Sequence, residues 1–226
     1  MPGESPGVAF SFPSSRRLTP TGATPHAVAV HIRRLSLSLA ALALALFVAL
    51  PASATVMIAL DLPTLVARAS HVVVARVESQ HARWDGQRRI VTDVSLRVEE
   101  SMKGPARPGG ALVLERFGGD IGDLGMRIEG EPLFADGTRV LVFAVPSVAS
   151  PAHVRAVGMA QGVMPIGERA APSGDDLVLP GGGGLALMQE VRGGLVPAPA
   201  ALISPRPLAE LRDVIRALVL EVRRAP

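Results

Sequence analysis

Residues 89–99 read Arg-Ile-Val-Thr-Asp-Val-Ser-Leu-Arg-Val-Glu, and this stretch decides the fold class. The apolar side chains of Val94, Leu96 and Val98 alternate with polar or charged side chains at the positions between them. A period of two is typical of a β-strand that buries one face and exposes the other face to water. The stretch therefore predicts a half-buried strand of an antiparallel sheet.

Further strand-like segments lie on both sides of this stretch. Residues 71–78 are rich in valine, and the Trp-Asp-Gly sequence at 84–86 predicts the turn between that segment and residues 89–99. The glycines and prolines of residues 103–110 predict a loop. After this loop we expect strands at 111–117, 126–129, 138–145 and 153–163.

Two amphipathic helices are predicted at the ends of the strand region. Asp61 is a suitable N-cap residue, and Pro63 is tolerated in the first turn of the helix that follows it. Residues 205–223 change to a helical period, with an apolar stripe opposite several arginines. The fold class that follows is mainly β: a small antiparallel OB-like barrel or curled sheet, with a short N-terminal helix and a C-terminal amphipathic helix.

An apolar segment near the N-terminus predicts export. Residues 35–50 are uncharged and consist mainly of leucine and alanine, with two arginines before them and Ala-Ser-Ala at 52–54 after them. This order of basic, apolar and small residues is typical of a signal peptide, with cleavage here between Ala54 and Thr55. We interpret residues 1–31 as a disordered leader, residues 32–54 as the signal peptide and residues 55–226 as a single mature domain, located in the periplasm or outside the cell.

Two alternatives stay open for this N-terminal region. The apolar segment could stay uncleaved as an anchor, although its 16 residues are fewer than the roughly 20 that a helical span needs. The long leader could also reflect a start placed too early, with Val30 as the true start. In both cases contact with a membrane would be confined to the signal segment.

The charge balance and the absence of cysteine exclude several classes of protein. Residues 1–54 hold four arginines and one glutamate, so residues 55–226 carry as many acidic as basic side chains. A nucleic-acid-binding protein needs a surplus of positive charge to neutralise phosphates, so nucleic acid is not the expected partner. The chain has no cysteine, which excludes thiol catalysis, zinc–thiolate sites and disulfides.

The motifs predict no catalytic residue, no cofactor site and no metal site. His71, His81 and His153 lack the close spacing of zinc ligands. Ser70 adjoins His71, but neighbours in a strand point to opposite faces, which argues against a hydrolytic pair. We interpret the acid pairs 99–100 and 175–176 as solvated, and the glycine-rich segments 118–125 and 181–184 as flexible connections.

One patch of side chains is a candidate surface contact. Trp84 lies close in sequence to Arg83 and Arg88, and aromatic side chains among cations occur on recognition surfaces of OB-type proteins. The loops at 80–90 and 118–125 are therefore the expected contact loops.

The order of segments over residues 60–165 resembles a known group of proteins. A helix leads into Val-Val-Val-Ala-Arg-Val, residues 98–104 end in Lys-Gly, Gly118-Gly119 marks a crossing, and residues 134–143 read Phe-Ala-Asp-Gly-Thr-Arg-Val-Leu-Val-Phe. This order resembles uncharacterised exported bacterial proteins and, more remotely, the OB-like barrel of netrin-type and metalloproteinase-inhibitor domains. The resemblance implies the fold but no activity, because those inhibitors act through an N-terminal cysteine and disulfides that this chain lacks.

These observations together predict an exported, monomeric, non-enzymatic β-barrel module that binds a protein or an envelope component. One alternative is a protease-inhibitor-like or protease-associated module, and another is a hydrolase with an unrecognised site. A concave pocket with converging acids or histidines would favour the hydrolase, whereas an exposed apolar ridge would favour a binding module.

Overall fold

The computed structural model describes residues 56–169, 174–182, 185–199 and 204–224. The predicted leader (1–31), the predicted signal peptide (32–54) and the predicted cleavage pair Ala54–Thr55 lie outside the described residues. So do the last two glycines of the segment 181–184.

Strands dominate the described part of the chain, and two α-helices flank them. In chain order the elements are β1 (Val56–Ile58), α1 (Leu62–Arg68), β2 (His71–Trp84), β3 (Ile90–Lys103), β4 (Ala111–Phe117), β5 (Gly119–Ile121), β6 (Leu124–Met126), β7 (Arg139–Pro146), β8 (His153–Ala156), a 3₁₀ helix (Met159–Gly162), β9 (Val163–Gly167), β10 (Leu177–Val178), β11 (Ala186–Val191), β12 (Gly194–Pro197), β13 (Arg206–Pro207) and α2 (Leu208–Arg224).

Five strands close into a hydrogen-bonded ring in the order β2-β3-β4-β8-β7 and back to β2. The pairings are antiparallel except for the β4–β8 pair, which is parallel. Strands β9, β10 and β13 extend the same sheet outward from β7. The prediction of a mainly β, curled antiparallel sheet with one short N-terminal helix and one C-terminal helix is therefore confirmed.

The sheet separates two apolar clusters because alternate residues of each strand face opposite sides. One cluster gathers the alternating valines and leucines of the ring strands, including Val73, Val94, Leu96, Leu114 and Val142. The other cluster covers the opposite face and includes α1, α2 and the intervening residues of β2 and β7. The alternation in residues 89–99 therefore corresponds to a real burial pattern.

Both helices are held to the sheet by contacts that their sequences provide. The Asp61 carboxylate accepts a hydrogen bond from the Thr64 backbone N–H at 2.8 Å, which confirms the predicted cap of α1. The Lys103 ammonium donates to the Val66 carbonyl in the last turns of α1. Helix α2 buries Leu211 and Ile215 in the second cluster.

In the part of the chain that the structure describes, neither helix has the length and apolarity needed to cross a membrane.

Three predicted segments differ from the observed ones. Residues 118–125 are not a flexible connection: β5 and β6 form a hairpin whose two-residue turn places Gly122 at a positive φ of 58°. The strand predicted at 126–129 is wrong, because the strand ends at Met126. The strand predicted at 153–163 is interrupted, because Gly158 adopts a φ of 63° and begins the 3₁₀ helix between β8 and β9.

Candidate functional site

A cleft of about 750 Å³ lies beside the end of β4. Its walls are the β5–β6 hairpin, residues 127–133, which we call the strap, and residues 179–182. Most of the lining residues are apolar or glycine, and the charged ones are Arg116, Asp120, Arg127, Glu129 and Glu131. The volume lies within the range of pockets that bind ligands, roughly 300–1,000 Å³.

Glycines let the hairpin wall lie against the end of the ring. Gly119 has a φ of 139°, and a Cβ atom at this position would come within 2.3 Å of the Thr92 hydroxyl oxygen. That hydroxyl donates to the Gly118 carbonyl at 2.6 Å, so Thr92 is held in place. A Cβ atom added to Gly118, whose φ is 88°, would come within 2.5 Å of the Met126 carbonyl oxygen. These two positions of the cleft wall therefore have no room for a side chain.

Arg116 is the cation at the centre of the cleft's chemistry. It follows Leu112 and Leu114 on one face of β4, and both leucines pack in the cluster of the ring strands. The Arg116 Nε is buried and lacks a hydrogen-bond partner, and its Nη1 reaches only the Phe117 carbonyl at 3.4 Å. Burial lowers the pKa of Arg116, while the charges of Glu131 and Asp120 oppose this shift. Among the described residues Arg116 forms no ion pair.

Glu131 fixes the strap to the ring. Its carboxylate lies 3.1 Å from the Arg155 guanidinium on β8, and the Phe117 backbone N–H also donates to it. Only 6% of the Glu131 side chain is exposed, and burial raises its pKa against the opposing charge of Arg155. The Arg155 guanidinium also stacks on the Phe117 ring, 3.8 Å from its centroid. The strap is therefore held by a buried, satisfied carboxylate.

The predicted contact patch of Arg83, Trp84 and Arg88 is divided by the structure. The Arg83 guanidinium donates to Asp93 at 2.7 and 3.0 Å and to Glu115 at 2.8 Å, so this residue belongs to an internal network. Trp84, at the end of β2, is 48% exposed. Arg88 is exposed in the β2–β3 turn with a φ of 61°. Trp84 and Arg88 thus remain surface residues, whereas the Arg83 guanidinium is bound to carboxylates of the same protein.

The three histidines have different surroundings, and His71 lies beside Ser70. The argument that Ser70 and His71 must point to opposite faces is wrong, because Ser70 precedes β2 and its Oγ lies 3.0 Å from the His71 Nδ1. The Ser70 hydroxyl is also placed to donate to the Ala144 carbonyl at 3.2 Å, and burial lowers the pKa of His71. Neither contact supplies an acid that could orient the imidazole for catalysis.

His153 is next to a second serine and an aspartate. Its Nδ1 contacts the Ser150 Oγ, and its Nε2 lies 3.7 Å from the Asp93 carboxylate. The Asp93 carboxylate also accepts two hydrogen bonds from Arg83, which donates a third to Glu115. His81 is exposed on β2. Within the described ranges, no group of three metal-ligating side chains occurs.

The acid pairs at 99–100 and 175–176 are not simply solvated. Glu99 binds Arg139 at 2.7 Å, and the Glu100 carboxylate binds Arg212 and Arg216 of α2 at 2.6 and 2.9 Å. Asp176 binds Arg139 at 2.6 Å. The arginines of the polar side of α2 and of β7 therefore provide partners that adjacency in the sequence does not reveal.

Arg116 and Glu131 are the cleft residues that the motifs did not identify. A signal existed for Arg116: in residues 111–117 it has the same parity as the buried Leu114 and the partly buried Leu112, so it occupies an inward position at the end of a strand. Glu131 lies in an irregular segment whose spacing carries no such signal. The chain matches no protein-family model and no curated protein.

Proposed function

We propose that this chain is a non-enzymatic binding module, working outside the cytoplasm, that holds a segment of a partner protein in its cleft. The observation that carries the proposal is the cleft itself: a mainly apolar concavity lined by the Arg116 guanidinium, whose Nε lacks an acceptor among the described residues. Concave, largely apolar pockets with a few placed polar groups are the usual form of binding sites. One wall is the hairpin at 118–125, which is one of the two predicted contact loops.

The chemistry of the cleft favours binding over catalysis. Among the described lining residues there is no serine, threonine, cysteine, histidine or lysine that could act as a nucleophile. Export is supported by the apolar segment at 35–50, and the equal numbers of acidic and basic residues in 55–226 argue against a nucleic-acid partner.

One observation favours a hydrolase as the second candidate. Asp120 and Glu131 line the same cleft, and the pKa of Glu131 is raised by burial. Acid–base catalysis uses two carboxylates with separated pKa values. Against this, the Glu131 carboxylate is bound to Arg155 and to the Phe117 N–H, so its access to a substrate is restricted. Turnover of a peptide or glycoside substrate that the variant Asp120→Asn loses would establish the hydrolase instead.

Site-specific photocrosslinking tests the binding proposal. A photoreactive amino acid replaces Leu133, which is 69% exposed on the strap, in the full chain expressed in its native host. The matched control replaces Val148, which is fully exposed in the β7–β8 connection and does not line the cleft. We expect a discrete crosslinked protein from position 133 that position 148 does not give. The same adduct from both positions, or from neither, would contradict the proposal.

The protease-inhibitor alternative has a direct test of its own. The purified protein is incubated with a set of metalloproteases at micromolar concentrations, and residual protease activity is measured. We expect full activity, since a ridge of the inhibitor type needs the cysteines that this chain lacks. Stoichiometric inhibition would replace our proposal with that alternative.

A further inference from the structure

The Arg116 guanidinium, which forms no direct ion pair with the described residues, indicates what kind of partner segment fits in the cleft. Resting on the proposed function and narrowing it, we infer that the bound peptide segment carries a carboxylate and that Arg116 is the residue that binds this carboxylate. The planar guanidinium presents several N–H donors in a fork that matches the two oxygens of a carboxylate.

The other charges of the cleft are largely paired within the protein, which leaves Arg116 available. On the strap, the Arg127 guanidinium lies 3.3 Å from the Glu129 carboxylate. Glu131 is bound to Arg155 at 3.1 Å. By contrast, the Arg116 Nε–H is buried without an acceptor among the described residues. Among the described residues, the Nη groups of the same guanidinium make one hydrogen bond, a long one of 3.4 Å from Nη1 to the Phe117 carbonyl, so they keep donors for a ligand in the cleft.

The charge balance of the cleft favours a singly charged group. Arg116 is positive, and Asp120 on the hairpin wall is negative and interacts electrostatically with Arg116. A phosphate, which carries nearly two negative charges at neutral pH, would be opposed by Asp120 and Glu129. A carboxylate brings one charge and meets less repulsion.

The walls fit an extended peptide rather than a compact anion. Exposed apolar side chains at the rim, Leu133 and Leu179, can cover the apolar side chains of a partner segment. Strand β6 pairs only with β5 in the part of the chain that the structure describes, so its other edge is an open strand edge. Open edges accept added strands through backbone hydrogen bonds.

The experiment uses the purified full chain and three randomised heptapeptide libraries. The first library has a free C-terminal carboxylate and no acidic residue, the second has a C-terminal amide and one central glutamate, and the third has a C-terminal amide and no acidic residue. Retained peptides are identified by mass spectrometry, and individual affinities are measured by fluorescence polarisation. Comparing the retention of the first two libraries shows whether the protein binds a C-terminal carboxylate or a side-chain carboxylate.

Two variants separate a specific contact from general electrostatics. Arg116→Gln removes the half-buried guanidinium, and Arg127→Gln removes the same charge from an exposed side chain of the same cleft. We expect the wild type to retain carboxylate-bearing peptides. For those peptides Arg116→Gln should weaken binding about tenfold or more, and Arg127→Gln less than about threefold.

Each result decides a definite point. Equal retention from all three libraries, or equal losses in the two variants, would overturn the inference while leaving the proposed function in place. Retention of no peptide by the wild type would overturn the proposed function as well. If Arg116→Gln does not fold, the Nε–H resonance of Arg116 is followed by NMR in the wild type. This resonance should shift with a carboxylate-bearing peptide, and the absence of a shift would overturn the inference.

Discussion

The Glu131 carboxylate lies 3.1 Å from the Arg155 guanidinium, and this pair joins the strap to β8 of the ring. The contact is enclosed on the other side by the Phe117 ring, on which Arg155 stacks. Because the strap is also a wall of the cleft, the pair couples the stability of the fold to the shape of the site.

Replacing Glu131 should therefore destabilise the protein. Glu131→Ala leaves Arg155 and the Phe117 N–H without their acceptor, and we expect a loss of about 2–3 kcal/mol in the free energy of unfolding. The control is Glu129→Ala, whose side chain is 64% exposed and should cost less than about 1 kcal/mol. Urea denaturation followed by circular dichroism measures both changes. Equal losses would mean that the strap is not anchored by this pair.

Arg83 should likewise act on stability rather than on recognition. Arg83→Met leaves Glu115, whose side chain is only 3% exposed, with the Ser147 hydroxyl as its remaining donor, and we expect a loss of about 3 kcal/mol. Arg88→Met removes an exposed arginine of the same hairpin and should change stability by less than about 0.5 kcal/mol. Thermal unfolding of the two variants makes the comparison. If Arg83→Met were as stable as the wild type, the structural role of Arg83 would be contradicted, and Arg83 would again be a candidate for the predicted contact patch.

The strand framework was predictable because it depends on local periodicity. Residues 111–117 are a strand with the predicted bounds, and the alternation around Val94 and Leu96 matches their burial. The interruption at Gly158 was not predictable in the same way, since a glycine within an apolar run is compatible both with a bulge and with a positive-φ turn. The closure of the ring by a parallel β4–β8 pair depends on contacts distant in sequence, which no local period encodes.

The site was less predictable than the fold for a physical reason. Binding and catalytic groups are recognised in a sequence when their spacing is fixed by one element, as in metal or phosphate motifs. Here Arg116 comes from β4, whereas Glu131 and its partner Arg155 come from the strap and from β8. Their proximity is a property of the tertiary structure, so only the inward parity of Arg116 was readable beforehand.

The hairpin wall offers a test of close packing. In Gly119→Ala the new Cβ would overlap the Thr92 hydroxyl, so we expect a loss of about 3 kcal/mol or more. Gly122→Ala also places alanine at a positive φ, but it meets no atom within 4 Å and should cost about 1–2 kcal/mol. Adding Thr92→Ala to Gly119→Ala should cost less than the sum of the two single changes, since it removes the atom that is overlapped. Additive losses in urea denaturation would show that the overlap is not the cause.

Acid titration of stability tests the contact between Asp176 and Arg139. The Arg139 guanidinium donates to Asp176 at 2.6 Å, and this hydrogen bond, with a second from the Arg169 backbone N–H, lowers the pKa of Asp176. A carboxyl whose pKa is lowered in the folded state contributes stability above its ordinary pKa of about 3.9 and loses that contribution as the pH falls through the lowered value.

Asp176→Asn should therefore be less stable than the wild type by about 1 kcal/mol at pH 7, because the contact is partly exposed to solvent. The difference should shrink as the pH falls below about 4, since the wild type then protonates Asp176 while the variant has nothing to titrate there. Asp123→Asn, in the exposed turn of the β5–β6 hairpin, is the matched control and should leave the stability–pH curve unchanged within about 0.5 kcal/mol. Urea denaturation of the three proteins between pH 2.5 and 7, chosen to span about 1.5 units below and 3 units above the ordinary pKa, gives the comparison. A difference between the wild type and Asp176→Asn that stays constant across this range would mean that the folded state does not lower the pKa of Asp176. The ion pair would then connect β7 with the segment before β10 without making the stability depend on pH.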